Sequence, residues 1–124
     1  MNAPTNLFRN DSHAIEVAAG QVVFREGEQG STMYGVIDGE IAIGRHGVLI
    51  QNIGPGGVIG EMALIDHSPR SADAVARVNS RLSVIDEKRF MRLISDHPTF
   101  ALVVMRMLAE RLRTANDRRT APTS

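Results

Sequence analysis

The sequence predicts a mainly β domain, an antiparallel sandwich or barrel of short strands followed by two C-terminal helices. All 11 glycines lie between Gly20 and Gly60, and glycine marks the turns and bulges of strand-rich chain. Short runs rich in valine and isoleucine alternate with turn signals that recur about every 8–12 residues. After Asp86 the apolar spacing changes to a helical period. These three observations together define the fold class.

Seven short segments are predicted as strands, because each is rich in β-branched residues and bounded by turn signals. The pair Asp38-Gly39 is a hairpin signal between two of them. The predicted strands are residues 15–18, 21–24, 33–37, 41–44, 48–53, 72–78 and 80–86. The apolar residues expected in the core are Val17, Val22, Phe24, Met33, Val36, Ile37, Ile41, Ile43, Leu49, Ile53, Leu64, Val75, Val84 and Leu93.

Two helices are predicted after the strands. Residues 87–95 have the apolar spacing of a short amphipathic helix, and Pro98 suits the first turn of a second helix that continues to about Asp117. From Phe100 to Met105 this second helix is apolar all round, so it must be covered on every side. One face can pack on the strands, and an identical helix of a second copy is the simplest cover for the other. We therefore expect a homodimer through residues 100–115; the alternative is a helix buried within one chain.

The composition is that of a globular protein, with 43% hydrophobic and 23% charged residues. The formal net charge is zero, from 14 basic and 14 acidic residues, which argues against a whole-molecule attraction to nucleic acid or to a membrane surface. The chain has no cysteine, which excludes disulfides and thiolate chemistry. No apolar run approaches the roughly 18 residues of a membrane span. We expect a cytoplasmic protein with flexible ends at residues 1–12 and 118–124.

Residues 57–74 contain the groups that would bind a phosphate ester. Gly60 allows a close backbone approach, and the segment from Glu61 to Ile65 can form a turn of helix whose free amides attract an anion. Arg70 offers a planar, permanently charged fork, and Ser71 adds a hydroxyl beside it. One cation with amide dipoles matches a singly charged phosphodiester, and the chain has no P-loop. Glu61 is better suited to accept a hydrogen bond from a sugar hydroxyl.

These motifs resemble the phosphate-binding cassette of the cyclic nucleotide-binding domain family. The family pattern appears as Gly-Glu-Met-Ala-Leu at residues 60–64 and Arg-Ser-Ala at residues 70–72. The likeness extends over residues 13–117. It implies an antiparallel β-roll or jelly-roll (double-stranded β-helix) over residues 13–86 and C-terminal helices over residues 87–117. It covers a sensor domain without the DNA-binding domain of some members.

The resemblance also implies a role for each matching residue. Glu61 would bind the ribose 2′-hydroxyl and Arg70 the cyclic phosphate of cAMP or cGMP, with no other cofactor and no metal. The Ser71 hydroxyl would contact the phosphate or a guanine edge, and Asn116 would contact an adenine base. Backbone amides would complete the phosphate site; they belong to Gly60, Met62 or Ala63, and to Ser71 or Ala72.

Two positions depart from the family pattern. Asp73 stands where kinase members of the family have threonine, and Ala115 stands where the catabolite activator has a polar residue. An acid that pointed at the phosphate would weaken its binding, but strand alternation places Asp73 on the face opposite Ala72 and Ala74.

The resemblance predicts a non-enzymatic cyclic-nucleotide sensor that signals to an unidentified effector protein by movement of its C-terminal helix. The predicted sensor has no direct nucleic-acid or membrane partner. One alternative is a degenerate, non-binding dimerisation or adaptor domain, which Asp73 and Ala115 favour. A cupin-like metalloenzyme is the other, but it would need a His-x-His strand pair with a nearby glutamate. The four histidines are scattered: His13, His46, His67 and His97.

Overall fold

The computed structural model describes residues 14–120, and for residues 114–120 it describes the backbone alone. The elements in this part of the chain are β1 (Ala14–Val17), β2 (Val22–Phe24), β3 (Met33–Asp38), β4 (Ile41–Arg45), β5 (Val48–Ile53), β6 (Val58–Ile59), α1 (Glu61–Ile65), β7 (Asp73–Ala76), β8 (Ser80–Ile85), α2 (Glu87–Asp96) and α3 (Pro98–Thr120). The prediction of a mainly β domain with C-terminal helices is confirmed. The expected flexible ends at residues 1–12 and 121–124 lie outside the described residues, while α3 includes residues 118–120.

Two four-stranded antiparallel sheets form the body of the domain, with strand orders β1-β8-β3-β6 and β2-β7-β4-β5. Alternating side chains from both sheets meet in one apolar core, in which Val36 and Leu82 of the first sheet pack with Ile41 and Ala74 of the second. Such burial of one face of each sheet is what the period-two patterns of the strands predict.

A second apolar cluster joins the first sheet to the helices. Met33 of β3 and Ile85 of β8 pack with Leu64 of α1 and with Phe100 and Val104 of α3. Because one cluster includes residues of α1 and α3, the short helix of the cassette and the C-terminal helix are held at the same end of the sheets.

The structure corrects the sequence analysis at two places. Leu49, which was expected in the core, is 56% exposed, because β5 is the edge strand of its sheet and five of its six residues are exposed. The strand β6 was missed because it has only two residues, Val58 and Ile59, too few to show a period. Both are buried, and they pair with Gly35 and Tyr34 of β3 immediately before the cassette helix.

Candidate functional site

The cassette begins where β6 ends at a tight turn. Gly60 has φ 75° and ψ 18° in the left-handed region and stands at the N-cap of α1. A Cβ at this position would lie 2.5 Å from Nη1 of Arg70, so both the backbone conformation and the lack of space require glycine. The turn thus brings the start of α1 against the guanidinium of Arg70.

Arg70 is the buried cation of the site, with 6% of its surface exposed. Its Nη1 donates to the carbonyl oxygens of Thr32 at 2.7 Å and of Gly60 at 3.2 Å. Nη2 donates to Oγ1 of Thr32 at 3.4 Å. The guanidinium is therefore held between the start of β3 and the N-cap of α1 by neutral oxygen atoms.

Two aromatic rings form the other wall around this guanidinium. Cζ of Arg70 lies 4.4 Å from the ring centre of Phe24 and 5.8 Å from that of Tyr34, within the range of a cation–π contact. Gly30 closes the same space, because a Cβ there would lie 2.5 Å from Nη2 of Arg70. Burial lowers the pKa of Arg70, while Tyr34 and Glu28 act to raise it; an arginine keeps its charge under these conditions.

Glu61 is the buried anion of the site, with 1% of its surface exposed. It does not pair with Arg70. Its Oε1 forms an ion pair with Nη1 of Arg111 on α3. Nη2 of Arg111 donates to the carbonyl of Val58 at 3.4 Å, and burial lowers the pKa of Arg111. The first residue of α1 is thereby tied to the C-terminal helix.

The chain after Arg70 is anchored by two further contacts. The carbonyl of Ser71 accepts hydrogen bonds from Nε and Nη2 of Arg45, at 3.0 and 2.6 Å. Ala72 and Ala74 are buried, and half-buried Asp73 between them follows the predicted alternation. Oδ1 of Asp73 accepts from the amide of Glu26 at 2.8 Å, so this carboxylate has a partner in the loop between β2 and β3.

The family model described as the cyclic nucleotide-binding domain matches residues 14–97. The chain belongs to this family. A CRP-like cAMP-activated global transcriptional regulator of Mycobacterium tuberculosis is 32% identical in an alignment of length 108 that covers 83% of this chain and 48% of that protein. The chain therefore spans about half the length of this curated relative.

Solved structures agree with this assignment. The catabolite activator protein of Thermus thermophilus superposes with a TM-score of 0.75 at 30% identity, over 90% of this chain and 53% of that one. A structure connected with a cyclic-GMP-dependent signalling pathway that regulates bacterial phytopathogenesis has a TM-score of 0.73 at 31% identity, over 88% of this chain and 90% of that one. The sheets and helices described above are thus the β-roll and C-terminal helices of a regulatory cyclic nucleotide-binding domain.

The structure brings most of the predicted site residues of this domain into one place, around α1 and the chain that follows it. Those with buried or half-buried positions are Gly60, Glu61, Ala63, Arg70 and Ala72; Met62 and Ser71 are exposed. Asn116 lies on α3 in the segment whose side chains are outside the description, so its contact with a base stays a prediction.

Sequence reasoning missed Arg111, which the structure places on Glu61. The sequence analysis treated this helix as an apolar dimer surface over residues 100–115 with Asn116 near a base, and it gave Arg111 no role. A signal was present, because Arg111 follows the buried Val104 by seven residues and therefore shares its face of the helix. An arginine on a buried face requires a polar partner.

The described part of the chain contains neither a cluster of metal-binding side chains nor a helix suited to span a membrane. Within it, no group of three or more histidine, aspartate or glutamate side chains could hold a metal ion, so a cupin-like metal centre has no ligand set there. None of the helices in residues 14–120 combines the length and the hydropathy needed to cross a membrane.

Proposed function

We propose that this domain is a sensor that binds cAMP or cGMP in the cassette. One observation carries the proposal: Arg70 is almost fully buried, yet among the described residues its partners are two carbonyls and a hydroxyl, with no carboxylate at ion-pair distance. A buried cation is costly without an anion beside it. A cyclic phosphate would supply that anion, and its single negative charge matches the single positive charge of Arg70.

The neighbouring groups support a nucleotide rather than a simple anion. Glu61 begins α1 next to Gly60, whose carbonyl contacts Arg70, so an acceptor for a ribose hydroxyl stands beside the phosphate position. We assign the phosphate to Arg70 and to amides of the cassette turn, and the 2′-hydroxyl to Glu61. The proposed domain comprises residues 13–117.

The proposed signal is a movement of α3. Glu61 is paired with Arg111 of that helix, and a ribose hydroxyl bound to the same carboxylate would compete for its oxygen atoms. Nucleotide would therefore favour a state in which Arg111 and α3 are placed differently, as a ligand shifts any two-state equilibrium toward the state that it binds more tightly.

We further propose that α3 mediates a homodimer through residues 100–115. Phe100 and Val104 are buried within their own chain, but Leu102, Met105 and Leu112 are 43%, 57% and 63% exposed. These three residues are spaced by three and seven, the repeat of a coiled-coil seam. We call Leu102, Met105 and Leu112 the apolar stripe. A second copy of the helix would cover it.

The proposal assigns the chain no catalytic step and no direct contact with nucleic acid. It places the protein in the cytoplasm, where cyclic nucleotides act as signals, and leaves the output to a separate effector protein. The non-binding adaptor is less well supported than from sequence alone, because the Asp73 carboxylate is already hydrogen-bonded to the amide of Glu26.

Calorimetric titration with cAMP and with cGMP tests the proposed function. We expect saturable heat with at least one of them, and weaker binding of 5′-AMP, whose phosphate is not cyclic. Because a ligand that binds only the folded state stabilises it, the same nucleotide should raise the melting temperature. Absence of heat with both cyclic nucleotides at high micromolar concentration, together with an unchanged melting temperature, would contradict the proposal and favour the adaptor.

A further inference from the structure

Arg45 is a second arginine at the cassette, and it comes from a different part of the chain. It is the last residue of β4, directly before the turn that leads into β5. Both Nε and Nη2 donate to the carbonyl oxygen of Ser71, at 3.0 and 2.6 Å. A planar guanidinium fork that holds one oxygen atom with two donors constrains the direction of that carbonyl more than a single donor would.

The peptide group that Arg45 holds also contains the amide of Ala72. The structure has no cis peptide bonds among its described residues, and in a planar trans peptide the C=O and N–H point in opposite directions. A fixed direction for the Ser71 carbonyl therefore fixes the direction of the Ala72 N–H. This amide is one of the two candidates, Ser71 or Ala72, for the backbone contact with the phosphate after Arg70.

We propose that Arg45 is a positioning residue, which sets the affinity for the nucleotide by orienting the Ser71–Ala72 peptide of the phosphate site. This inference rests on the proposed function and deepens it. It adds a requirement from the hairpin of β4 and β5, to which the family pattern of the cassette assigns no role.

The charge of Arg45 has a smaller part than its geometry. The nearest carboxylate is that of Glu26, with 3.8 Å between Nε and Oε2, and both side chains are partly exposed. Solvent screens such a pair. The other acid packed at this point, Asp73, accepts from the amide of Glu26. The two hydrogen bonds to Ser71 are therefore the contacts of Arg45 whose loss should lower the affinity for the nucleotide.

The test compares Arg45→Gln with Arg77→Gln by calorimetry with cAMP and cGMP. Arg77 is the matched control, because it is equally exposed and forms an ion pair with Glu40 at 2.9 Å. We expect Arg45→Gln to weaken binding about tenfold, the order of one charged hydrogen bond, and Arg77→Gln to bind like the wild type. Arg45→Lys keeps the charge and loses the fork, so it should stay weakened.

A spectroscopic measurement separates positioning from a general loss of stability. In the ligand-free protein, the nitrogen and proton shifts of the Ala72 amide should change in Arg45→Gln and not in Arg77→Gln, while urea unfolding of the two variants stays similar. Equal affinities of Arg45→Gln and Arg77→Gln, or wild-type affinity of Arg45→Lys, would overturn the inference. If the wild type binds neither nucleotide, the proposed function fails first and the positioning role falls with it.

Discussion

The cassette and the last helix depart from the usual distribution of side chains in opposite directions. The cassette buries charges: Glu61 is 1% and Arg70 is 6% exposed. The helix α3 exposes apolar side chains along the stripe of Leu102, Met105 and Leu112. Buried charges and clustered exposed apolar groups are the informative exceptions to the normal pattern. Among the described residues, Arg70 has no carboxylate at ion-pair distance, and we propose a partner of different chemistry for each region.

The proposed partner of the cassette is an anion, while the proposed partner of α3 is an apolar surface. The ion pair of Glu61 with Arg111 connects the two regions. The comparison therefore predicts that changes at the cassette act mainly on nucleotide affinity and changes at the stripe mainly on association. A cassette variant that mainly changed association, or a stripe variant that mainly changed nucleotide affinity, would contradict this prediction.

The largest effect is expected for Arg70→Ala. It removes the charged contact to the phosphate, which is worth about 2–5 kcal/mol, or roughly 30- to 5,000-fold in affinity. Calorimetry with the bound nucleotide measures this loss. Arg92→Ala, at an exposed position of α2, is the control and should bind normally. Affinity within threefold of the wild type would show that Arg70 is not the phosphate ligand.

The second-largest effect is expected for a substitution in the apolar stripe, and it concerns dimer formation. Met105→Glu places a charge at the centre of the proposed seam. Because a two-fold dimer contains the substitution once in each copy, the dimer dissociation constant should rise more than tenfold. Sedimentation over a range of concentrations measures the constant. Val48→Glu alters an equally exposed apolar residue of β5 and should leave it unchanged. A wild-type chain that stays monomeric at high concentration would refute the dimer.

A smaller effect, on the free energy of unfolding, is expected when Arg70 is kept and the space beside it is reduced. In Gly30→Ala the new methyl group meets Nη2 and Cζ of Arg70, whose guanidinium is packed against Phe24. We expect a loss of about 1–3 kcal/mol in unfolding free energy. Gly54→Ala meets nothing within 4 Å and should be neutral or slightly stabilising. Equal urea midpoints for the two variants would argue against the packed position of Arg70.

The smallest effect concerns an exposed charge of the same cassette. Hydrogen bonds from Ser68 lower the pKa of Asp66, so its ionised form favours the folded state. This contribution is present above the ordinary aspartate pKa of about 3.9 and is lost as the pH falls through the lowered folded value. The stability difference between the wild type and Asp66→Asn should therefore shrink on acidification from pH 6 to pH 3, as followed by urea unfolding. If the stability difference between the wild type and Asp66→Asn instead grew on acidification, the pKa of Asp66 could not be lowered in the folded state.

The sequence was sufficient where the signals are local. Glycines, turn pairs and the change from strand to helix period depend on neighbouring residues, and they predicted a sandwich or barrel of short strands followed by two C-terminal helices. Leu49 was misplaced because the position of β5 at a sheet edge depends on the pairing of distant strands. The position of Arg111 on its helix could indicate that it needs a polar partner, but not that this partner is Glu61. Arg111 is 50 residues away from Glu61 along the chain, and the packing of α3 on β3 and α1 brings the two together.

The contact between Glu61 and Arg111 would make the proposed response depend on protein concentration. If this contact carries the coupling between the cassette and the stripe, linkage is reciprocal: the factor by which nucleotide changes the dimerisation constant equals the factor by which dimerisation changes nucleotide affinity. Dilute chains and concentrated chains would then respond at different nucleotide concentrations. Expression level would then become a second input to the proposed sensor, transmitted through the same buried carboxylate to which we assign the ribose hydroxyl.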